Sequence, residues 1–591
     1  MIYGKGIWKL KCKKDQIEEK KNNPPFTPGQ HQLEVMNYFF KVTMTKSIYK
    51  GLMVYHRLGA GKTCSGFITA DKLLRHAKVK NVYVLTPGSL RSNWVDEYCK
   101  KCGYSPEFLK KYYTFITYNY SVGTAVTKMD FNDSIVIIDE IHNVIRGVIN
   151  AYKDKNDAKK KSKTAYKIYQ KLLSSNCKIL ALSGTPVFNH IYEWAVLGNL
   201  LKPGAFPNIF SYDDVDTEEF MDLFEKDQDG IITAKNPLQF QVRLKGIISY
   251  YAGSKENFPE LREMEPIRIR ATKPQEEYYW HQQYKQDRLK SGPNEAIKFQ
   301  DVGLYNFLLS QQIRAALFQF TRSVANFYYP PEYRAKYKSK NFKPKTGKIE
   351  PDDIKEADEV ADKGRKDLPV NKDGWVSKVT FANPLMAEVY STKFVAFFVN
   401  FLLHFNTKHV LFTFFKNKSG VLLISTLLGM CGVKTAIYSG DIGDSDRRKI
   451  LKKFNSPENL NGEIIKILLV TGAGAEGISI METNHFHILE SEPNVNTTTQ
   501  AIGRVARFKS HTRLPPERRY VKIWRYWTTS NVSSYTIKVE VKNPDTGKKE
   551  LRDKTYENTI MVDEFLYKRG VVKTNEIQSF LALLQQASVT S

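Results

Sequence analysis

Five short apolar runs, "GLMVYH" at 51–56, "NVYVLTP" at 81–87, "YTFITY" at 113–118, "SIVIID" at 134–139 and "KILALS" at 178–183, alternate with longer helical or polar segments. β-Rich runs separated by room for a crossover helix predict a parallel sheet with helices packed on it. The rhythm recurs from about 385 to 530 in "HVLFTFF", "VKTAIYS", "IIKILLV", "HFHILES" and "RYVKIWRYW". Two α/β domains are therefore predicted, one at 1–205 including an N-terminal extension and one at 376–530.

The span between them, 206–375, differs in composition. "YYWHQQYKQDRLK" and "ANFYYPPEYRAKYKSKNFKPKTGK" mix aromatics with bases ahead of a charged tract. The pattern predicts a largely helical insertion from 206 to about 330 and a mobile linker from about 338 to 375. Aromatics interleaved with bases suit the stacking of nucleobases, and equally suit helix cores followed by a solvated tail. A second basic run, "YKDKNDAKKKSKTAYK" at 152–167, reads as an exposed loop able to meet phosphates. Beyond 530, "VEVKNPDTGKKELRD" predicts a hairpin around Asn543 to Gly547, and helices complete a C-terminal extension at 531–591.

Composition narrows the classes. At 591 residues the chain exceeds one hydrophobic core, and 42% apolar content is ample for two. Lys and Arg outnumber Asp and Glu by 89 to 62, a formal charge of +27, which favours a polyanionic partner, nucleic acid before membrane. Solvated surface lysines are the plainer account of that excess. The most apolar long run, "FVAFFVNFLLHF" at 394–405, is too short to span a bilayer and reads as a buried helix, so no membrane partner is predicted. "MIYGKGIWKLKCKKDQ" lacks the apolar centre of a secretory signal. The six cysteines read as reduced intracellular thiols, and the single pair Cys99-x-x-Cys102, without a second pair, as surface thiols before zinc ligands.

The chemistry begins at "GLMVYHRLGAGKTCSGFITADKLL", where a strand enters the glycine loop Gly59-Ala60-Gly61-Lys62-Thr63 and a helix follows. Such a P-loop turns backbone N–H groups toward the phosphates of ATP, with Lys62 reaching the β- and γ-phosphates and Thr63 ligating Mg²⁺. One departure stands out: His56 occupies the place of the expected first glycine. A P-loop ATPase also needs an acid at the end of a neighbouring strand. "SIVIIDEIHN" supplies Asp139 for Mg²⁺ and Glu140 to activate water, where an isolated strand end would read as a polar turn.

With Asp139-Glu140-Ile141-His142 following the P-loop, the chain resembles a superfamily 2 helicase or translocase of the DExH type. The resemblance implies an α/β fold of two RecA-like P-loop domains with parallel sheets, and further motifs arrive in that family's order. "FTPGQHQLEVMNYF" resembles the upstream Gln motif, with Gln30 or Gln32 near adenine. "VLTPGSLRSNWVDEY" is similar to the segment that grips a strand backbone, which places Thr86 and Pro87 near nucleic acid. "LALSGTPVFNHIYEWAVLGNLLKPG" resembles the Swi/Snf form of the coupling motif, carried by Ser183, Gly184, Thr185 and Pro186. "YSGDIGDSDRRKILKKFNS" resembles the second-domain segment of that branch, with Ser439 and Gly440 toward nucleic acid. "QAIGRVARFKSH" then gives Gln500 at the nucleotide, and Arg504 and Arg507 on one helical face, spaced to meet the γ-phosphate across an interdomain cleft; a basic surface helix is the alternative.

"LLVTGAGAEGISI" at 468–480 carries Gly472-x-Gly474-x-x-Gly477, the spacing of a dinucleotide-binding loop, and Glu490 and Glu492 stand where a ribose-binding acid would. A dinucleotide fold needs a helix of about three turns after the last glycine, and Gly477 to His485 leaves room for about two. The segment instead resembles the helicase motif that precedes the arginines, in which Thr471 and Gly477 link nucleic acid to ATP.

Within the superfamily the chain is similar to ATPases of large DNA viruses, of the poxvirus nucleoside triphosphatase I and early transcription factor type, on "FKSHTRLPPERRYVKIW", "LKGIISYYAGSKENFPE" and His56. That implies an ATP- and Mg²⁺-dependent ATPase moving on nucleic acid, duplex DNA in this branch. It further implies viral transcription initiation or termination, an RNA polymerase or transcription factor subunit as partner, and an intracellular place in the virion and host cytoplasm. The competing expectations are an RNA or replicative helicase that unwinds duplexes, and a non-hydrolysing polymerase scaffold.

Overall fold

The computed structural model describes residues 7–8, 27–45, 49–57, 59–76, 79–87, 90, 94, 109, 111–118, 126, 129–152, 164–207, 218–253, 258–290, 318–328, 391–416, 419–440, 442–472, 478–492, 495–542 and 548–589. The chain forms two compact units, Met1–Glu256 with Val571–Ser591, and Asn257–Gly570.

The first unit contains strands β1 (Ile7–Trp8), β2 (Gly51–His56), β3 (Asn81–Thr86), β4 (Tyr113–Thr117), β5 (Ser134–Asp139) and β6 (Lys178–Ser183), a small hairpin of β7 (Phe224–Lys226) and β8 (Ile232–Ala234), and β9 (Ile248–Tyr251). Its main sheet runs β1-β4-β3-β5-β6-β2-β9 and is parallel except for β1. Every residue of β5 is buried, as a central parallel strand covered on both faces requires. Helices α1 (Gln30–Met44) and α2 (Lys62–His76) cover one face, where Val35, Phe39, Phe67 and Leu73 share a core with Ile135 and Ile137. Helices α3 (Ile141–Tyr152), α4 (Thr164–Ser174) and α5 (Glu193–Leu201) cover the other, where Ile145, Leu172 and Trp194 join Val136 and Ile138.

The second unit contains β10 (Glu260–Glu263), β11 (Ile267–Arg270), α6 (Lys273–Lys290), α7 (Gln319–Asn326), α8 (Thr392–Leu403), β12 (His409–Thr413), α9 (Val421–Met430), β13 (Thr435–Tyr438), α10 (Asp444–Phe454), β14 (Ile467–Thr471), β15 (His485–Ile488), α11 (Val495–Val505) and β16 (Tyr520–Thr529). The strands β17 (Tyr535–Lys542) and β18 (Lys549–Tyr556) and the start of α12 (Val562–Gln586) follow. The parallel sheet runs β10-β16-β15-β12-β14-β13, and β11 also pairs with β16. Alternate residues face opposite cores: Leu411, Ile467 and Leu469 meet Phe397 and Ile424, whereas Val410, Leu468 and Val470 meet Ile502 and Val505. Two RecA-like α/β units are thus present.

The stretch 206–270, expected to be largely helical, carries the five short strands β7 to β11. Runs of three or four residues are too short to show a period of two; they are strands because a sheet edge or a hairpin partner is available. Tyr279 and Trp280 are buried in a core with Ile537 and Leu566, which decides their aromatic run for packing over base stacking. α8 buries Phe394, Phe397 and Phe401 but leaves Val399, Leu402 and Leu403 exposed, so the apolar run lies half at the surface. Among the described residues no helix is long and apolar enough to cross a membrane.

The expected hairpin forms between β17 and β18, paired from Tyr535 with Tyr556 to Lys542 with Lys549. Its turn at 543–547, the linker at 338–375, the basic run at 153–163, Cys99, Cys102 and Gly477 lie outside the described residues. Cys64 is disulfide-bonded, which departs from the expectation of reduced thiols. Residues past 571 rejoin the first unit, where Ile577, Phe580 and Leu584 enter its core.

Candidate nucleotide site

β2, β6 and β5 are neighbours, and their register pairs Tyr55 with Ser183 and Asp139 with Leu182. The P-loop, Asp139-Glu140 and Ser183-Gly184-Thr185 therefore leave the sheet along one carboxyl edge, where open α/β sheets bind ligands.

The loop's left-handed residues are Gly59 (φ 85°) and Gly61 (φ 75°). A Cβ on Gly61 would sit 2.5 Å from Gln32 Nε2, which donates to Gly61 O at 3.0 Å, while Gln32 Oε1 accepts from Gly29 N at 2.9 Å. Gln30, in contrast, is exposed and donates to Glu34 at 3.2 Å. Of the two expected glutamines it is Gln32 that reaches the loop, because residues two apart on a helix point to different sides. His31 is a neighbour that the sequence did not single out: its Nε2 lies 2.9 Å from Ala60 O, and its ring stacks on Tyr251 at 3.9 Å.

His56 is fully buried, with Nε2 3.0 Å from Ser249 Oγ on β9, and burial drives its pKa down to about 3. It ends a strand with its side chain in the core, so no left-handed glycine is needed there. Its carbonyl accepts from Lys62 Nζ at 3.0 Å, and Arg57 O lies 3.5 Å from the same nitrogen.

Asp139 is buried and accepts from Trp94 Nε1 at 2.7 Å. Burial, then the charge of Glu140, pushes its pKa up to about 7, against the Trp94 hydrogen bond and the Lys62 charge. Tyr118 Oη donates to the Asp139 carbonyl at 3.0 Å. Glu140 holds φ at 50°, a strained conformation for a non-glycine residue. Its Oε2 accepts from Ser183 Oγ at 3.3 Å, and Ser183 Oγ in turn accepts from Thr185 N at 3.0 Å and lies 3.0 Å from His142 Nδ1. Burial lowers the His142 pKa to about 4, so the ring is neutral. Glu193 braces the next residues by accepting from Phe188 N at 2.7 Å and Asn189 N at 3.1 Å. The glycine cradle, Lys62 and the oxygen donors of Thr63 and Asp139 fit a nucleoside triphosphate with Mg²⁺, which when bound neutralises charge on the phosphates. Trp94 and Tyr118 escaped the sequence reading, although "SNW" lies inside a quoted motif.

In the second unit Arg504 lies on the last turn of α11 and is buried. Arg507 Nη1 donates to Ser479 Oγ, and Ile480 N donates to Arg504 O at 3.0 Å, so both arginines are set against the segment after Gly477. Gln500 is half-buried on the same helix. Thr471 ends β14 and is buried, as are Ser439, Thr86 and Pro87, whereas Gly440 is exposed. The buried members can present little beyond backbone to a nucleic acid.

The fold and the order of the motifs resemble those of helicase-like ATPases of the superfamily 2 type. Residues 393–509 match the helicase conserved C-terminal domain. The chain is similar to viral proteins of this kind. It is 24% identical over 84% of its length to a protein of Acanthamoeba polyphaga mimivirus that carries the provisional name ATP-dependent RNA helicase, covering 83% of that protein. It is 25% identical over 91% of its length to a "Termination factor NPH-I homolog" of African swine fever virus, covering 76% of it. The SWI2/SNF2 ATPase core of Sulfolobus solfataricus, solved in complex with double-stranded DNA, aligns over 86% of this chain and 90% of its own at 14% identity, with a TM-score of 0.30.

Proposed function

We propose that this chain is a DNA-stimulated ATPase that translocates on duplex DNA and serves viral transcription, at initiation or termination. The observation that carries the reading is the bonded path from Glu140 through Ser183 to Thr185. Glu140 is the acid placed to activate water, and Ser183-Gly184-Thr185-Pro186 is the segment whose resemblance assigns it to coupling. A change in that segment therefore reaches the hydrolytic base through two hydrogen bonds. Lys62 and Thr63 hold the triphosphate end, Asp139 serves Mg²⁺, and Arg504 and Arg507 stabilise charge on the γ-phosphate in the transition state. The name of the swine fever virus relatives, termination factor, supports a place in termination. An RNA polymerase or transcription factor subunit as partner, and the virion and host cytoplasm as location, extend the resemblance drawn from the sequence.

An RNA-directed activity is the second reading, favoured by the names of the mimivirus relatives. Steady-state ATP hydrolysis, measured alone and with duplex DNA, single-stranded DNA or RNA at two salt concentrations, separates the two. Stimulation by duplex DNA that weakens at high salt and is absent in Lys62→Ala is expected. Stimulation by RNA alone would move the protein to RNA remodelling, and no turnover with any polynucleotide would leave a scaffold.

A further inference from the structure

His31 on α1 and Tyr251 at the end of β9 meet beside the glycine loop. Their rings are stacked, with centres 3.9 Å apart and planes 2° from parallel. Buried His56 meets both at steep angles, its ring centre 5.4 Å from that of His31 and 5.7 Å from that of Tyr251. A Cβ on Gly29 would come within 2.9 Å of His31 Cε1, so the residue that opens α1 leaves the imidazole its room.

His31 Nε2 lies 2.9 Å from Ala60 O, and because a carbonyl oxygen only accepts, the ring nitrogen is the donor. The next carbonyl of the loop, Gly61 O, accepts from Gln32 Nε2 at 3.0 Å. In a planar trans peptide the C=O and the following N–H point in opposite directions. Holding the carbonyls of Ala60 and Gly61 toward α1 therefore turns the N–H groups of Gly61 and Lys62 away from it. Successive N–H groups turned to one side make a nest for an anion. Tyr251 holds the same loop through its backbone as well: Arg57 N donates to Tyr251 O at 3.0 Å, and Ala60 N donates to Arg57 O at 3.1 Å. Since β9 is paired with β2 up to His56 and Tyr251, the sheet fixes the tyrosine, and the stack denies the imidazole the rotation that would break its bond to Ala60.

We propose that His31 and Tyr251 are positioning residues of the phosphate cradle: stacked on Tyr251, His31 pins the Ala60 carbonyl outward and so presents the Gly61 N–H to the phosphate chain of a nucleotide. The pair acts on the phosphates and not on the base. Its effect on affinity rests on the reading of the loop as a triphosphate site; its effect on the order of the empty loop does not.

The test compares the full-length protein with His31→Ala, Tyr251→Leu, Tyr251→Phe and the double variant His31→Ala/Tyr251→Leu. His31 is half-buried on a helix, so its replacement leaves the core closed even where loss of the Tyr251 ring does not. Displacement of a fluorescent nucleotide by Mg·ATP and by inorganic tripolyphosphate reads affinity. Both ligands should weaken about tenfold in His31→Ala and Tyr251→Leu, the size of one lost hydrogen bond. Tyr251→Phe, which keeps the ring, should stay within about twofold, and the double variant should be no worse than His31→Ala, because the tyrosine ring acts through the imidazole. A loss confined to ATP, with tripolyphosphate unaffected, would assign the pair to the base and overturn the proposal, as would equal losses in the Leu and Phe variants. Amide hydrogen exchange over residues 57–62 without nucleotide should quicken in His31→Ala and Tyr251→Leu and not in Tyr251→Phe. If the wild type bound neither ligand, the triphosphate reading would fail, and this exchange pattern would still decide whether the pair orders the loop.

Discussion

Trp94 Nε1 donates to Asp139 Oδ2 at 2.7 Å and Glu140 N donates to Oδ1 at 3.1 Å, so the indole supplies the side-chain half of the pair of bonds that orients this buried carboxylate. A buried hydrogen bond to a charged group contributes about 1.5–3 kcal/mol. Trp94→Phe keeps most of the ring and removes the donor, so the ionised form of Asp139 loses support. The expected outcome is a stability loss of about that size and a raised Mg²⁺ requirement for ATP hydrolysis. Thermal unfolding and a Mg²⁺ titration of the rate would check it, and an unaltered titration would show that Trp94 serves packing alone.

Gly61→Ala would meet two obstacles at once, a left-handed backbone and Gln32 Nε2 lying 2.5 Å from the new methyl. The backbone conformation alone costs about 1 kcal/mol or more for a residue with a Cβ. Fluorescent-nucleotide titration should show weakened ATP binding, and Gln32→Ala in the same background should restore part of it by opening space. The reverse exchange, His56→Gly, would complete the P-loop pattern and yet destabilise the protein by about 2–5 kcal/mol, the range for emptying a buried site. Improved stability in denaturant would contradict the buried role of His56.

A histidine cluster in the second unit predicts acid sensitivity. His409 Nδ1 lies 3.0 Å from His487 Nε2, His487 Nδ1 lies 2.9 Å from Tyr526 Oη, and Trp524 Nε1 donates to His485 Nδ1 at 3.0 Å. Burial brings the pKa of His409 down to about 3 and that of His485 to about 2, and holds His487 well below its ordinary 6.5. Above pH about 6.5 both folded and unfolded chains are neutral at these positions, and stability is complete. Below it the unfolded chain takes up protons that the folded unit refuses, so stability falls with falling pH by up to about 1.4 kcal/mol per pH unit for each histidine. Urea unfolding between pH 8 and pH 5 should show this slope, reduced by one proton in His485→Phe; an identical slope in the variant would remove His485 from the cluster's account.

Arg504 and Arg507 should be separable from ATP binding. Replacing either with Ala is expected to lower turnover by about 10³-fold or more, the range for arginines that stabilise a phosphoryl transition state, with nucleotide affinity little changed. Ser479→Ala removes one acceptor of Arg507 Nη1 and should cost less than loss of the arginine itself. Single-turnover kinetics distinguish the two, and equal losses in affinity and rate would place the arginines in binding.

Both central sheets were visible in the chain because their strands are buried on both faces and read as unbroken apolar runs, as in "SIVIID" and "KILALS". The edge strand "ISYY" was not, for its identity depends on the free side of β2. The same division holds at the site. Gly59, Lys62, Asp139 and Glu140 are legible because phosphate and metal chemistry restricts residue type at fixed spacing. Trp94 is not, since an indole 45 positions from its carboxylate carries no local signal. Gln30 and Gln32 differ only in helix phase, which Gly29 sets by preceding the first turn of α1.

The return of the last segment to the first unit orders events on the ribosome. Phe580 packs against Phe220, Phe224 and Phe240, and Val589 N donates to Ile248 O at 2.8 Å. These contacts join residues more than three hundred positions apart, so they cannot form until translation has passed the whole second unit. The nascent first unit thus waits with a phenylalanine-lined face uncovered until residues 571–589 emerge, and its maturation becomes a late step in which a chaperone has the longest time to act.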